Sequence, residues 1–262
     1  MLGVALPIVQ APMGWIARSQ LASAVSNAGG MGIIETSSGE LDAIRIEIAR
    51  MRTLTDKPFG VNIAQAFVRD PGIVNFVVDQ GVKFVSTSAG DPGKYCAALK
   101  QAGLTVFHVV PTLKAALRAV DAGVDGLIVE GGEGGGFKHS DPVMTMVLLP
   151  QVAEAVSVPV IAAGGISCGR TMAAAFGDGG GGCAVRDADG FGRGVASARQ
   201  LEAGDFESRF HGHGVPQSFW QAGAAGVADR AQHAAGSGIR AGLCGTTGVR
   251  GVRAGAGALF RR

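Results

Sequence analysis

Up to about residue 176 the chain alternates two textures. Short apolar or β-branched runs recur at 4–10 (VALPIVQ), 31–35 (MGIIE), 59–63 (FGVNI), 82–87 (VKFVST), 104–110 (LTVFHVV), 124–130 (VDGLIVE) and 158–165 (VPVIAAGG). Continuous apolar runs of this length between turn residues mark strands covered on both faces, as in a parallel sheet. Between them lie amphipathic stretches, among them 20–29, 41–52, 112–123 and 150–157, which predict helices. Thr112 is placed to cap the helix that closes at Gly123, and Gly29 to close the approach to the second strand.

Seven evenly spaced strand-plus-helix units predict an α/β fold, a (β/α)8 barrel of the TIM type. An open doubly wound sheet fits less well, because the first strand ends in Ala11-Pro12-Met13-Gly14 and not in a G-x-G-x-x-G turn before a helix. The eighth strand, due after a helix at about 168–176, is not recognisable. From Gly177 the periodic pattern stops, about a quarter of residues 177–262 are glycine, and lysine disappears. The expected domains are therefore an incomplete barrel over 1–176 and an irregular or disordered Gly/Arg-rich tail over 177–262. Without its eighth strand, the barrel is expected to leave the first and seventh strands with open edges.

Composition narrows the function classes. Of 262 residues 43 are glycine, 47% are hydrophobic and 17% charged, enough apolar content to bury a large core. The glycines follow no collagen period, and no apolar run reaches the ~18 residues of a membrane span. The start, MLGVALPIVQAPMG, has no basic segment ahead of its apolar stretch, so a signal peptide is not expected and a cytoplasmic location is. Cys96, Cys168, Cys183 and Cys244 lie far apart with no C-x-x-C, which argues against a metal site or a disulfide framework. A net charge of +2 calls for no polyanionic partner. The tail lacks the RGG repeats with interleaved aromatics of an RNA-binding segment.

PIVQAPMG, NAGGMGII, KPFGVNI, VDGLIVEGGEGGGF and VPVIAAGGI, in this order and spacing, resemble the nitronate monooxygenase (2-nitropropane dioxygenase-like) family over about residues 4–176. The resemblance implies an FMN-dependent barrel oxidoreductase that converts alkyl nitronates with oxygen to carbonyl compounds and nitrite. FMN-dependent enoyl reductases acting with NAD(P)H are the alternative on the same barrel.

The residues themselves fit such a ligand. Ala11, Pro12, Met13 and Gly14 end the first strand in a rigid turn of mostly small residues, which lets backbone approach a flat ring; the resemblance places the flavin there. Asn62 is an amide at the end of an apolar strand, and buried amides need partners; the matching residue contacts FMN. In the Glu130–Gly136 stretch, glycine N–H groups can form an anion nest, and Glu130 and Gly135 fall on flavin-contacting positions. Gly164 and Gly165 would offer N–H groups to the FMN phosphate. The family's histidine position is held by Phe137, which cannot accept a proton. His139 is the nearest substitute, with Lys138 and Glu133 as further candidates. His108 either faces the barrel mouth as a catalytic group or is a satisfied core histidine. With no base at 137, a substrate already ionised is expected.

Read one base out of step, synonymous codons from Gly177 onward can spell GVQ-x-GTR, the family's eighth-strand pattern, at the expected distance from Phe176. Residues 177–262 are accordingly read as frameshifted. A defective, non-enzymatic product is the remaining alternative.

Overall fold

The computed structural model describes residues 1–37, 40–136 and 139–185. Its eight parallel strands are β1 (Ile8–Gln10), β2 (Gly32–Glu35), β3 (Phe59–Ala64), β4 (Phe84–Ser88), β5 (Thr105–Val110), β6 (Gly126–Glu130), β7 (Val160–Ala163) and β8 (Gly182–Val185). Between successive strands run helices α1 (Ser19–Asn27), α2 (Leu41–Leu54), α3 (Ile73–Asp79), α4 (Gly93–Gln101), α5 (Leu113–Asp121), α6 (Thr145–Ala155) and α7 (Gly169–Gly177). Thr112 caps α5 as expected, its Oγ1 accepting the Ala115 N–H at 3.1 Å. The helix expected from Pro150 begins earlier, at Thr145, and carries Pro150 inside it.

Strand order is β1-β8-β7-β6-β5-β4-β3-β2, and the two ends of that order meet. Val9 bridges Met31; the Met31 N–H donates to Ile8 O at 2.8 Å, and the Gln10 N–H to Met31 O at 2.9 Å. Beyond that bridge a side chain continues the ladder. Gln10 Nε2 donates to Ile33 O at 3.1 Å, while the Ile33 N–H donates to Gln10 Oε1 at 3.3 Å.

Alternation along the strands sorts the apolar residues into two layers. Val9, Ile33, Phe84, Phe107, Ile128, Ile161 and Ala184 point into the barrel. Ile8, Ile34, Val61, Val85, Val106, Leu127, Ala162 and Cys183 point outward against the helices. Inside, Phe84 and Phe107 meet edge to face with centroids 5.4 Å apart. They fit because Gly60 and Gly126 have no side chains: a Cβ on either would lie 2.5 Å or 2.3 Å from the neighbouring ring. This filled layer is the floor on which the site rests.

The eighth strand, expected to be missing, is present. Gly182–Val185 pairs with β1 (Ile8↔Cys183, Gln10↔Val185) and with β7 (Ile161↔Gly182, Ala163↔Ala184), so the first and seventh strands have no open edges. The barrel thus runs past residue 176. Gly177 completes α7, Gly179 takes φ 94, and the Gly180 N–H returns to Ala175 O at 2.9 Å, a glycine-dependent helix ending. Small side chains hid the strand: Gly182 and Ala184 give no alternating signal, and backbone pairing to two neighbours makes it a strand. Nothing in the fold of residues 177–185 calls for a change of reading frame. Residues 186–262, where the rest of the expected tail falls, lie outside the described residues.

The packing of Phe107 over Gly126 is testable. Gly126→Ala is expected to destabilise the protein by about 1–3 kcal/mol through overpacking, and adding Phe107→Leu to recover part of that loss. Denaturant melts of the single and double variants measure both.

Candidate active site

At the carboxyl ends of the strands the barrel opens into a cavity of about 1140 Å³. Ala11, Pro12, Met13, Gly14, Asn62, His108, Glu130, Gly135, His139, Gly164 and Gly165, drawn from strands and loops far apart in sequence, all line it. Parallel strands that share one direction bring their carboxyl ends to one face, which is why these residues converge.

Asn62 points inward from β3 and is 2% exposed. Its Nδ2 donates to Ser86 O (3.2 Å) and lies 3.0 Å from Ser86 Oγ. Among the described residues no donor reaches its Oδ1, which leaves an acceptor beside the cavity. Ser86 and Ser88 were not singled out from sequence, although alternation with Phe84 places both on the inner face.

The Gly-rich turn after β6 is built around one hydroxyl. Thr145, at the start of α6, is 1% exposed, and its Oγ1 lies 2.9 Å from Gly164 O and 3.1 Å from Ala163 O. Cβ atoms on Gly131 or Gly164 would lie 2.2 or 2.9 Å from that oxygen. Glu133, a candidate for catalysis, lines the cavity and also caps α6: its Oε2 accepts the Thr145 N–H at 2.9 Å. Glu130 packs its carboxylate against Gly134, where a Cβ would meet Oε1 at 2.2 Å. After β7, Gly164 and Gly165 take φ 94 and 71. Among the described residues no protein group accepts the N–H groups of Gly164, Gly165 or Ile166, all of which line the cavity.

The two histidines differ. His108 follows Phe107, an inward residue, and so belongs to the outer layer of β5. It is 3% exposed, with Nδ1 2.7 Å from Thr87 Oγ1. Burial pushes its imidazole down to about 4, although the Gly90 carbonyl and the Asp91 carboxylate favour the protonated ring. Of the two readings left open, the satisfied core histidine is the one this geometry supports, although the residue borders the cavity. His139 is exposed on the rim, its Nδ1 accepting the Asp141 N–H at 3.1 Å. Phe137 and Lys138 lie outside the described residues. Sequence reading also missed the cationic rim: Lys114 and Arg118 of α5 line the cavity, Arg118 3.1 Å from Asp91. Among the described residues no cluster of His, Cys, Asp or Glu could hold a metal ion, and no helix is long and apolar enough to cross a membrane.

Comparison with known families matches the nitronate monooxygenase family over residues 1–70 and 65–188. The chain belongs to the nitronate monooxygenase family. It is 31% identical to a nitronate monooxygenase of Paraburkholderia phytofirmans over 67% of this chain and 61% of that protein. It is 42% identical to a Mycobacterium tuberculosis protein named (3aS,4S,5R,7aS)-5-hydroxy-7a-methyl-1-oxo-octahydro-1H-indene-4-carboxyl-CoA dehydrogenase, over 67% of this chain and 50% of that one. The chain thus spans about half the length of that curated relative. Among solved structures, FabK from Thermotoga maritima aligns with TM-score 0.66 and 41% identity over 71% of this chain and 59% of that one. A nitroalkane oxidase from Streptomyces ansochromogenes aligns with TM-score 0.63 and 30% identity over 70% and 65%.

Burial of neutral His108 has a pH consequence. Its folded value lies below the ordinary 6.5, so unfolding takes up a proton between these values. Stability is full above about pH 6.5 and falls toward pH 4, by about 3 kcal/mol at most. His108→Gln is expected to flatten that dependence in thermal melts across this range.

Proposed function

We propose that the cavity holds FMN and that the protein is a flavin-dependent oxidoreductase acting on alkyl nitronates with oxygen, giving carbonyl compounds and nitrite. The observation that carries the reading is the run of unaccepted N–H groups at Gly164–Ile166 in the cavity that Asn62 also lines. An anion at one end and a hydrogen-bond donor at the other would satisfy both, and a phosphorylated planar ring carries both. Gly164 and Gly165 would hold the phosphate, Asn62 Oδ1 would accept from a ring N–H, and Ala11–Gly14 would lie against the ring face. Glu130 and Gly135 would wall the ring on the β6 side.

When bound, FMN supplies the redox chemistry, accepting electrons from substrate and passing them to oxygen. The chain's own contribution is to bind, orient and exclude water above the Phe84 and Phe107 floor. His108 is turned into the outer layer and Phe137 carries no proton acceptor, which leaves His139 at the rim, with the Glu130 and Glu133 carboxylates of the cavity wall, as the described groups that could take a proton from a neutral nitroalkane. A nitronate has already lost that proton. A cytoplasmic site of action is part of this proposal.

A second reading takes the cationic rim as its observation. Lys114 and Arg118 could hold the phosphates of a CoA thioester, and relatives at 42% and 40% identity are named CoA dehydrogenases. Anaerobic reduction of the bound flavin by NAD(P)H, with a thioester as oxidant, would favour that reading or the enoyl-reductase alternative.

The purified chain is expected to show a visible flavin spectrum and to turn over a nitronate faster than its parent nitroalkane. Comparable rates, with His139→Ala slowing only the nitroalkane, would replace the nitronate reading with rim-base catalysis; no bound flavin would favour the defective product. Gly164→Ala, strained at φ 94 with its Cβ 3.0 Å from Gly134 N, is expected to weaken FMN binding by about tenfold. Fluorescence titration reads that loss.

A further inference from the structure

Glu35 ends β2 with its side chain wholly buried, 0% exposed. Burying a carboxylate is costly unless charge and hydrogen bonds compensate. Here the compensation comes from the loops on either side of the cavity wall. Oε1 accepts the Trp15 N–H at 3.2 Å and lies 3.4 Å from Arg18 Nη2. Oε2 accepts the N–H and the hydroxyl of Ser37, each at 2.7 Å. The Glu35 N–H in turn donates to Ala17 O at 3.1 Å.

The loop held in this way carries Ala11–Gly14. Trp15 follows Gly14 directly and takes φ 64, a left-handed conformation that bulky residues rarely adopt. Burial of the indole does not explain the conformation: Trp15 is 76% exposed, with the Arg18 guanidinium 5.8 Å from its ring centroid. The backbone hydrogen bond to Glu35 fastens the strained residue where the cavity wall turns into α1. Ser37, on the other carboxylate oxygen, lines the cavity itself, its Oγ 3.7 Å from where a Cβ on Gly14 would stand.

We propose that Glu35 is a positioning residue: it clamps the β1–α1 loop so that the Ala11–Gly14 backbone is held in the shape that receives the ligand. The clamp rests on the preceding reading only for that ligand's being FMN. Hydrogen exchange on the full-length chain without added FMN tests the clamp, and FMN titration with visible circular dichroism tests its consequence. Glu35→Gln is expected to speed exchange of the 11–18 amides by about tenfold while β5 and β6 stay protected. Ser37→Ala should loosen the same segment less. FMN affinity should fall by about tenfold in Glu35→Gln, with a changed flavin circular dichroism band. Unchanged exchange at 11–18 in both variants, or exchange raised equally throughout the barrel in both, overturns the proposal. A wild-type chain that takes up no FMN overturns the functional reading instead, and the exchange result then decides the clamp by itself.

Discussion

A parallel strand closed into a ring has a neighbour on each side and no edge, and this requirement shapes the rest of the molecule. It explains why so short a segment as Gly182–Val185 is a strand: the backbones of β1 and β7 are both waiting for a partner. It explains Gln10, whose side chain takes over the ladder to Ile33 where β1 and β2 share only one bridge. Closure also decides what the interior can hold. Phe84 and Phe107 fill it, with glycines opposite, so the open volume is displaced to the carboxyl ends of the strands.

That displacement links packing to function. The cavity's walls are strand ends and loops, and three parts of them are fastened by buried polar groups. Thr145 ties the Gly-rich turn to the end of β7, Asn62 and Ser86 tie β3 to β4, and Glu35 ties the first loop to β2. Buried polar groups satisfied in this way hold a site rigid, and a rigid site loses little entropy when a ligand arrives.

Much of this was legible in the chain. The apolar runs mark β1 to β7 because strands covered on both faces must be apolar throughout. Gly131, Gly134 and Gly164 mark places where backbone comes close to other atoms, and Gly134–Gly136 with Gly164 and Gly165 line the cavity. Other features were not legible. His108 in VFHVV looks equally able to face in or out, and only the inward setting of Phe107 decides it. That Glu133 caps a helix was hidden because the sequence pattern placed the start of that helix too late. The eighth strand has no pattern to read, since its side chains are too small to report which face they occupy.

Order and spacing of the apolar runs, with the glycine turns between them, determined the barrel and the family from sequence alone, because burial and backbone geometry act locally and leave a periodic trace. The tertiary structure decided what depends on neighbours distant in sequence. It made a strand of GCAV, turned His108 away from the barrel interior, and brought Glu35 beneath a loop about twenty residues before it. Hydrogen bonds of that kind link positions with no fixed spacing, so no one-dimensional pattern records them.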